Sequence, residues 1–172
     1  MIQLRPWEDL AAAAVFRALD PSDHLEAELV RGATVGHLAL WADWRSIEPL
    51  RLASFVALTA GGTPFAVFGL VHTGQAGVAS AALLARDHRV FRRSLAQLAV
   101  ILRDAFPGHC RERGVHRVEA RSWSAHPTAP RLLAALGFRA EARMPGFGPD
   151  GATEFTQWAW TARSQGSTPC AP

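Results

Sequence analysis

The densest periodic pattern in the chain lies between residues 91 and 106, where Phe91, Leu95, Leu98, Ala99, Leu102 and Phe106 recur at helical spacing. Arg92, Arg93, Gln97, Arg103 and Asp104 fall between them. One apolar stripe on a charged cylinder has this pattern, so the segment predicts a long amphipathic helix that Pro107-Gly108 is expected to stop. Three apolar runs ahead of it read as strands: Phe55–Thr59 and Pro64–Val71, joined through Gly61-Gly62 as a hairpin, and Gly77–Ala85. Behind it, Val115–Ser122 is bounded like a strand although neither of its faces is cleanly apolar. A short helix follows, with Thr128 as cap and Pro130 in the first turn, where a missing N–H does no harm. Leu132, Leu133 and Leu136 face inward and Gly137 stands just past its end. Ala140–Met144 and Thr153–Thr161 close the pattern as two strands around a Gly/Pro loop. At the front, Ile2–Trp7 reads as a strand and Asp9–Leu19 as a helix capped by Glu8 or Asp9. A second helix opens at Ser22 and ends at Arg31-Gly32, and the mixed spacings of Ala33–Pro49 read as a third.

A strand–helix–strand middle flanked by antiparallel pairs implies an α/β (α+β) domain. Its expected form is a central mixed, mostly antiparallel sheet of six to seven strands flanked by about four helices. One such domain is expected over residues 1–163. Residues 164–172 are small, polar and proline-containing, and read as a disordered tail. The longest weakly polar runs reach about half the length of a bilayer-spanning helix, so they read as buried strands and no membrane partner is expected. The N-terminal residues carry no apolar leader, which points to the cytoplasm. Cys110 and Cys170 make no disulfide framework.

Charge adds one observation. All 18 basic residues are Arg, and nine of them (Arg86, Arg89, Arg92, Arg93, Arg103, Arg111, Arg113, Arg117 and Arg121) share a stretch with only four acids. That excess suits an anionic partner, either a phosphorylated cofactor or nucleic acid, or else a solvated helix face. The seven histidines are scattered and His109-Cys110 has no partner at zinc spacing, so no metal site is expected. Neither a Gly-x-Ser-x-Gly nor a phosphate-loop Gly-Lys-Ser/Thr pattern occurs.

The segment Arg131-Leu132-Leu133-Ala134-Ala135-Leu136-Gly137-Phe138, placed after a strand–long helix–strand unit, resembles the GNAT N-acetyltransferase superfamily. Its members carry a similar helix ending in Leu-Gly-Phe, and the likeness covers about residues 1–162. A narrower likeness is to GNAT-like proteins of tailed bacteriophages, including the family of internal virion protein A of T7-like phages. It rests on Asp23-His24-Leu25-Glu26, the hairpin Gly62–Leu70 and the glycine-free approach to the long helix. The wider resemblance implies acetyl-CoA held by backbone pairing along Leu83, Leu84 and Ala85, with its phosphates near Arg89, Arg92, Arg93 and Ser94. Small residues in such a loop let N–H groups approach phosphate beside a helix N-terminus. Arg89 fits the first position of the family's loop, whereas Arg92 and Ser94 stand where small residues are expected.

Catalytic candidates follow from the same resemblance. Acyl transfer to an amine needs a base for the amine proton and an acid for the leaving thiolate. The third apolar strand carries no carboxylate, the chain has no Tyr, and Leu133 holds the position of the family's usual acid. Glu119 and His126 are the catalytic candidates, with His72 and the Asp23/Glu26 pair behind them. Each also has a structural reading: Glu119 pairs with Arg117 or Arg121, His126 caps a helix, and Asp23 and Glu26 are N-terminal helix acids. Two functions are therefore expected. The first is an acyl-CoA-dependent N-acyltransferase acting on an unknown amine, phage- or prophage-encoded. The second is a catalytically inactive phage protein that serves in the virion or binds a host protein. Nucleic acid is not the partner expected.

Overall fold

The computed structural model describes residues 1–162 of the chain, so the tail expected at 164–172 lies outside the described residues. Seven strands form one sheet: β1 (Gln3–Pro6), β2 (Arg51–Leu58), β3 (Pro64–His72), β4 (Val78–Ala85), β5 (Arg117–Trp123), β6 (Arg139–Met144) and β7 (Phe155–Thr161). Their order is β1-β2-β3-β4-β5-β7-β6. Every neighbouring pair is antiparallel except β4 and β5. Five helices join them: α1 (Asp9–Phe16), α2 (Pro21–Arg31), α3 (His37–Ser46), α4 (Arg92–Glu112) and α5 (Ala129–Ala135).

The core has two halves, one on each side of the sheet. Ala12, Val15 and Phe16 of α1 pack with Leu40 and Trp44 of α3 against Val56, Leu58 and Val67. Leu98, Leu102 and Phe106 of α4 pack against Ala66, Phe68, Val118 and Trp160. β3 is thus covered on both faces, which explains why it reads as an unbroken apolar run rather than an alternating one. β5 does alternate. Val118, Ala120 and Ser122 are buried, while Arg117, Glu119 and Arg121 take the more open side.

α4 does not stop at Pro107-Gly108 as its sequence predicts; it runs on to Glu112 with the proline inside it. A proline in a helix interior costs about 3 kcal/mol, because a hydrogen bond is lost and its ring crowds the preceding turn. Tertiary burial opposes that cost. Cys110, only 1% exposed, continues the stripe of Leu98, Leu102 and Phe106 into the core, and its carbonyl accepts from the Val115 N–H at 2.8 Å. At α5 the predicted ending holds. Gly137 takes φ 90°, its N–H donates to the Ala134 carbonyl, and the Phe138 N–H donates back to the Leu133 carbonyl, both at 3.0 Å. This doubly bonded stop explains Leu136-Gly137-Phe138 physically: the glycine supplies the left-handed turn and Phe138 folds into the core.

Candidate functional site

β4 and β5 pair only over Val78–Ser80 and Arg117–Glu119, although β4 continues to Ala85 and β5 to Trp123. Beyond that short ladder the strands part. The Arg86 N–H points to β3, where the Phe65 carbonyl accepts it, so alternation turns the main-chain groups of Ala81, Leu83 and Ala85 toward the gap. α2 spans the mouth. Asp20 caps it by accepting the Ser22 N–H at 2.9 Å, and Pro21 occupies its first turn. One turn further, Asp23 Oδ2 accepts the Ala85 N–H at 2.7 Å and Glu26 Oε2 accepts the Trp123 N–H at 2.9 Å. Two carboxylates of one helix therefore satisfy the end of each strand that has lost its neighbour.

Asp23 also centres a buried polar cluster. Its Oδ1 lies 3.0 Å from His126 Nε2 and 3.2 Å from His88 Nε2. His126 Nδ1 accepts the N–H groups of Thr128 and Ala129, so its proton sits on Nε2, facing Asp23. His126 caps α5 in this way; the Thr128 side chain, expected in that role, instead lies 2.8 Å from His88 Nδ1. Burial pushes the Asp23 pKa up, but hydrogen bonds from His126 and His88 outweigh it and hold the carboxyl below its ordinary range. His88 moves the other way: burial pulls it down, and the hydrogen bond and charge of Asp23 raise it above the usual histidine value. Glu26 is raised by burial, against the Trp123 N–H bond.

Three cavities meet along the gap. The largest, about 420 Å³, lies between the end of β4, the first turns of α4 and α5. Its wall is apolar, with Leu83, Leu84, Leu95, Ala99 and Leu132, and Arg89, Arg92 and Arg131 stand around it. A second, about 270 Å³, borders the Glu119 and Arg121 side of β5 together with Ser80, Phe147 and Phe155. A third, about 130 Å³, fills the gap itself between Ala81–Leu84 and Ala120–Ser122. Glu26 lines all three.

The start of α4 completes the larger cavity. The His88 N–H is accepted by Asp20, those of Arg89 and Val90 by Asp87 Oδ1, and that of Phe91 by the Asp87 carbonyl. No side chain caps the helix, and the N–H groups of Arg92, Arg93 and Ser94 have no acceptor among the described residues. Free N–H groups at the positive end of a 21-residue helix, beside three arginines that lack an acidic partner among the described residues, suit phosphate.

No protein-family model and no curated protein matches the sequence. Solved structures do match. The spermidine N-acetyltransferase of Vibrio cholerae, solved with CoA and spermine, superposes with a TM-score of 0.69 at 12% identity, over 94% of this chain and 96% of that one. A GNAT-family acetyltransferase of Bacillus anthracis gives 0.67 at 12% identity, over 94% and 95% of the two chains. A phosphinothricin acetyltransferase of Sinorhizobium meliloti in complex with acetyl-CoA gives 0.66 at 13% identity, over 93% and 88%. The fold is the GNAT fold.

Within this GNAT fold the residues singled out in the sequence are partly gathered. Leu83, Leu84, Arg89, Arg92 and His126 line the largest cavity. Ala85 is buried with its N–H given to Asp23, while Arg93 and Ser94 stand on the first turn of α4 without lining it. Glu119 borders the second cavity and receives the Arg117 Nε–H at 2.8 Å; His72 is exposed at the end of β3. Asp23 is an acid of the first turn of α2, as its structural reading has it, but it is 6% exposed, and both it and Glu26 reach across to other strands. In the sequence His88 reads only as one of seven scattered histidines and Arg131 only as the start of the segment that ends in Leu136-Gly137-Phe138, neither as a site residue. A usable signal did exist for the cavity: Ala96 and Ala99 lie one turn apart at the start of α4, and small side chains there leave room beside α5.

Proposed function

We propose that this chain is an acyl-CoA-dependent N-acyltransferase that moves an acetyl group to an amine. The observation that carries the reading is the parting of β4 and β5, with unpaired main-chain groups on β4 opening onto an apolar cavity that ends at an uncapped, arginine-flanked helix start. The two ends of that cavity match the two ends of acetyl-CoA. Ala81 and Leu83 offer strand-type hydrogen bonds to amides in an extended chain, Leu95, Ala99 and Leu132 give the apolar wall, and Arg89, Arg92, Arg131 and the free N–H groups of α4 meet phosphate. When bound, the cofactor supplies a thioester carbonyl open to attack by an amine.

The chain's own part is to hold, to exclude water and to take a proton. Asp23 keeps the mouth of the gap at a set width by tying Ala85 to α2 and His126, and Glu26 does the same for Trp123. Calorimetric titration with acetyl-CoA tests the reading. Saturable binding that weakens in Arg92→Ala and Arg131→Ala is expected; no binding at millimolar acetyl-CoA would sink it.

A second reading has its own observations. Asp87 Oδ1 already takes two N–H groups of the loop, and Leu133 gives the short helix no acid for a thiolate. These features favour a GNAT-like binding protein, as a phage virion component or a binder of a host protein. Association with purified particles or one host protein, unchanged by CoA, would select it.

A further inference from the structure

The second cavity carries charges in different states of use. Glu119 is held by Arg117, which also grips Glu141 through both terminal nitrogens. Arg121, in the same wall, has no acidic partner among the described residues. Its Nε donates to the Gln157 amide oxygen at 3.1 Å, and its guanidinium lies over the Phe147 ring, 5.3 Å from the centroid. A guanidinium stacked on one side and bonded through Nε keeps its terminal N–H groups for an anion. Glu26 spends one oxygen on the Trp123 N–H, and the other has no hydrogen-bond partner among the described residues. The rest of the wall sets apolar Val30, Phe147 and Phe155 beside the hydroxyl residues Thr73 and Ser80.

An unspent carboxylate, an unspent guanidinium and a wall that mixes apolar side chains with hydroxyls fit a small zwitterion. We infer that this cavity takes the acceptor, that the acceptor is an amino acid with its ammonium against Glu26 and its carboxylate against Arg121, and that Glu26 removes the amine proton. The inference rests on the N-acyltransferase reading and adds to it the acceptor class and the base. Glu26 suits the task by position, as the residue that borders the acceptor cavity, the gap and the cofactor cavity together. The charged groups around it are Asp23 on its own helix and Glu119 and Arg121 from β5, with the His126 imidazole close by in the turn before α5.

The proton balance is direct. The ammonium gives one proton to Glu26, and the freed amine attacks the thioester carbonyl. The N–C bond forms as the C–S bond breaks, the second amine proton ends on the leaving sulfur as free thiol, and Glu26 returns its proton to solvent.

Ligand-observed NMR on the full chain with L-leucine and L-phenylalanine, against 3-methylbutylamine, 2-phenylethylamine and spermidine, reads the site without turnover. Binding of the two amino acids and not of the amines is expected. With acetyl-CoA, thiol release should follow the same preference. Arg121→Ala should lower kcat/KM for the amino acids by about ten- to a hundredfold while leaving the amines unchanged; a merely structural role would lower both alike. Glu26→Gln, which keeps an acceptor for Trp123, should lower kcat/KM by about a hundred- to ten-thousandfold at neutral pH and regain rate as pH rises and solvent frees the amine. Acetyl-CoA binding should be unchanged in Arg121→Ala, since Arg121 does not line the cofactor cavity. Amino acids that fail to bind while acetyl-CoA binds, a preference for spermidine, or full neutral-pH activity in Glu26→Gln would each overturn the inference. If acetyl-CoA itself fails to bind, the transferase reading falls, and amino-acid binding by the wild type, lost in Arg121→Ala, still decides the cavity.

Discussion

β4 and β5 are closed at one end and at the other by different means. At the apex, Val78–Ser80 lie in register with Arg117–Glu119, and the N–H groups of His116 and Arg117 both reach the Gly77 carbonyl, at 2.9 and 3.2 Å. These bonds are neutral and made by main chain, so most side chains would permit them. At the mouth, Ala85 and Trp123 have no partner across the gap between β4 and β5, and each N–H is met by a carboxylate from α2. Those bonds are charge-assisted, titratable and carried by two particular side chains. The contrast teaches that a crossing helix can lend acceptors to the donors at the mouth of a ligand-sized gap, while the main-chain groups of Ala81 and Leu83 inside it stay free for a ligand.

The largest expected effect comes from attacking the mouth. Asp23→Ala leaves the Ala85 N–H, His88 and His126 without their shared acceptor in a buried setting. It should cost about 3–5 kcal/mol in denaturant unfolding. A loss under about 1 kcal/mol would show that the mouth is not held by this carboxylate. The matching attack on the apex is Gly77→Ala. Gly77 has φ 72°, and a Cβ there would collide with His116 Nδ1. The left-handed conformation alone costs about 1–2 kcal/mol, and shifting His116 adds to it. A neutral Gly77→Ala would mean that the apex does not depend on the left-handed glycine.

Filling the space between them separates binding from stability. Ala96 is exposed and lines the largest cavity, so Ala96→Trp should weaken acetyl-CoA by about tenfold or more while unfolding changes by no more than about 0.5 kcal/mol. The smallest expected effect is a pH dependence confined to the mouth. The His88 pKa is raised in the fold, so its contribution is complete below the ordinary histidine value, about 6.5, and is lost as pH rises through the folded value. Glu26 is also raised and adds loss in the same direction. Asp23 is lowered, so its contribution holds above the ordinary carboxyl value, about 3.9, and goes only as pH falls through its folded value. Hydrogen-exchange protection of the Ala85 and Trp123 amides should therefore fall from mildly acidic to mildly alkaline pH while that of Arg117 stays level. Parallel loss at both ends would erase the distinction.

Much of the fold was legible because it is written in local pattern. The Leu95–Leu98–Leu102–Phe106 stripe, the Gly61-Gly62 hairpin and the stop at Leu136-Gly137-Phe138 each need only neighbours in sequence. Pro107 misled because its cost is local and the burial of Cys110 that opposes it is not. The site was legible only in part for a similar reason. Leu83, Leu84, Arg89, Arg92 and His126 were reachable through a resemblance in the order of elements, whereas Asp23 and Glu26 stood behind them as candidates that read equally well as N-terminal helix acids.

By itself, then, the sequence determined the element order, the apolar faces of α4 and α5 and the arginine-rich approach to α4, since periodicity, turn residues and charge act over a few positions. Only the tertiary structure decided which carboxylates meet which strands. Asp23 lies 62 residues from Ala85, and Glu26 lies 97 from Trp123. Partners so distant come together only when the sheet has parted and α2 has crossed the opening, and no local pattern encodes that juxtaposition.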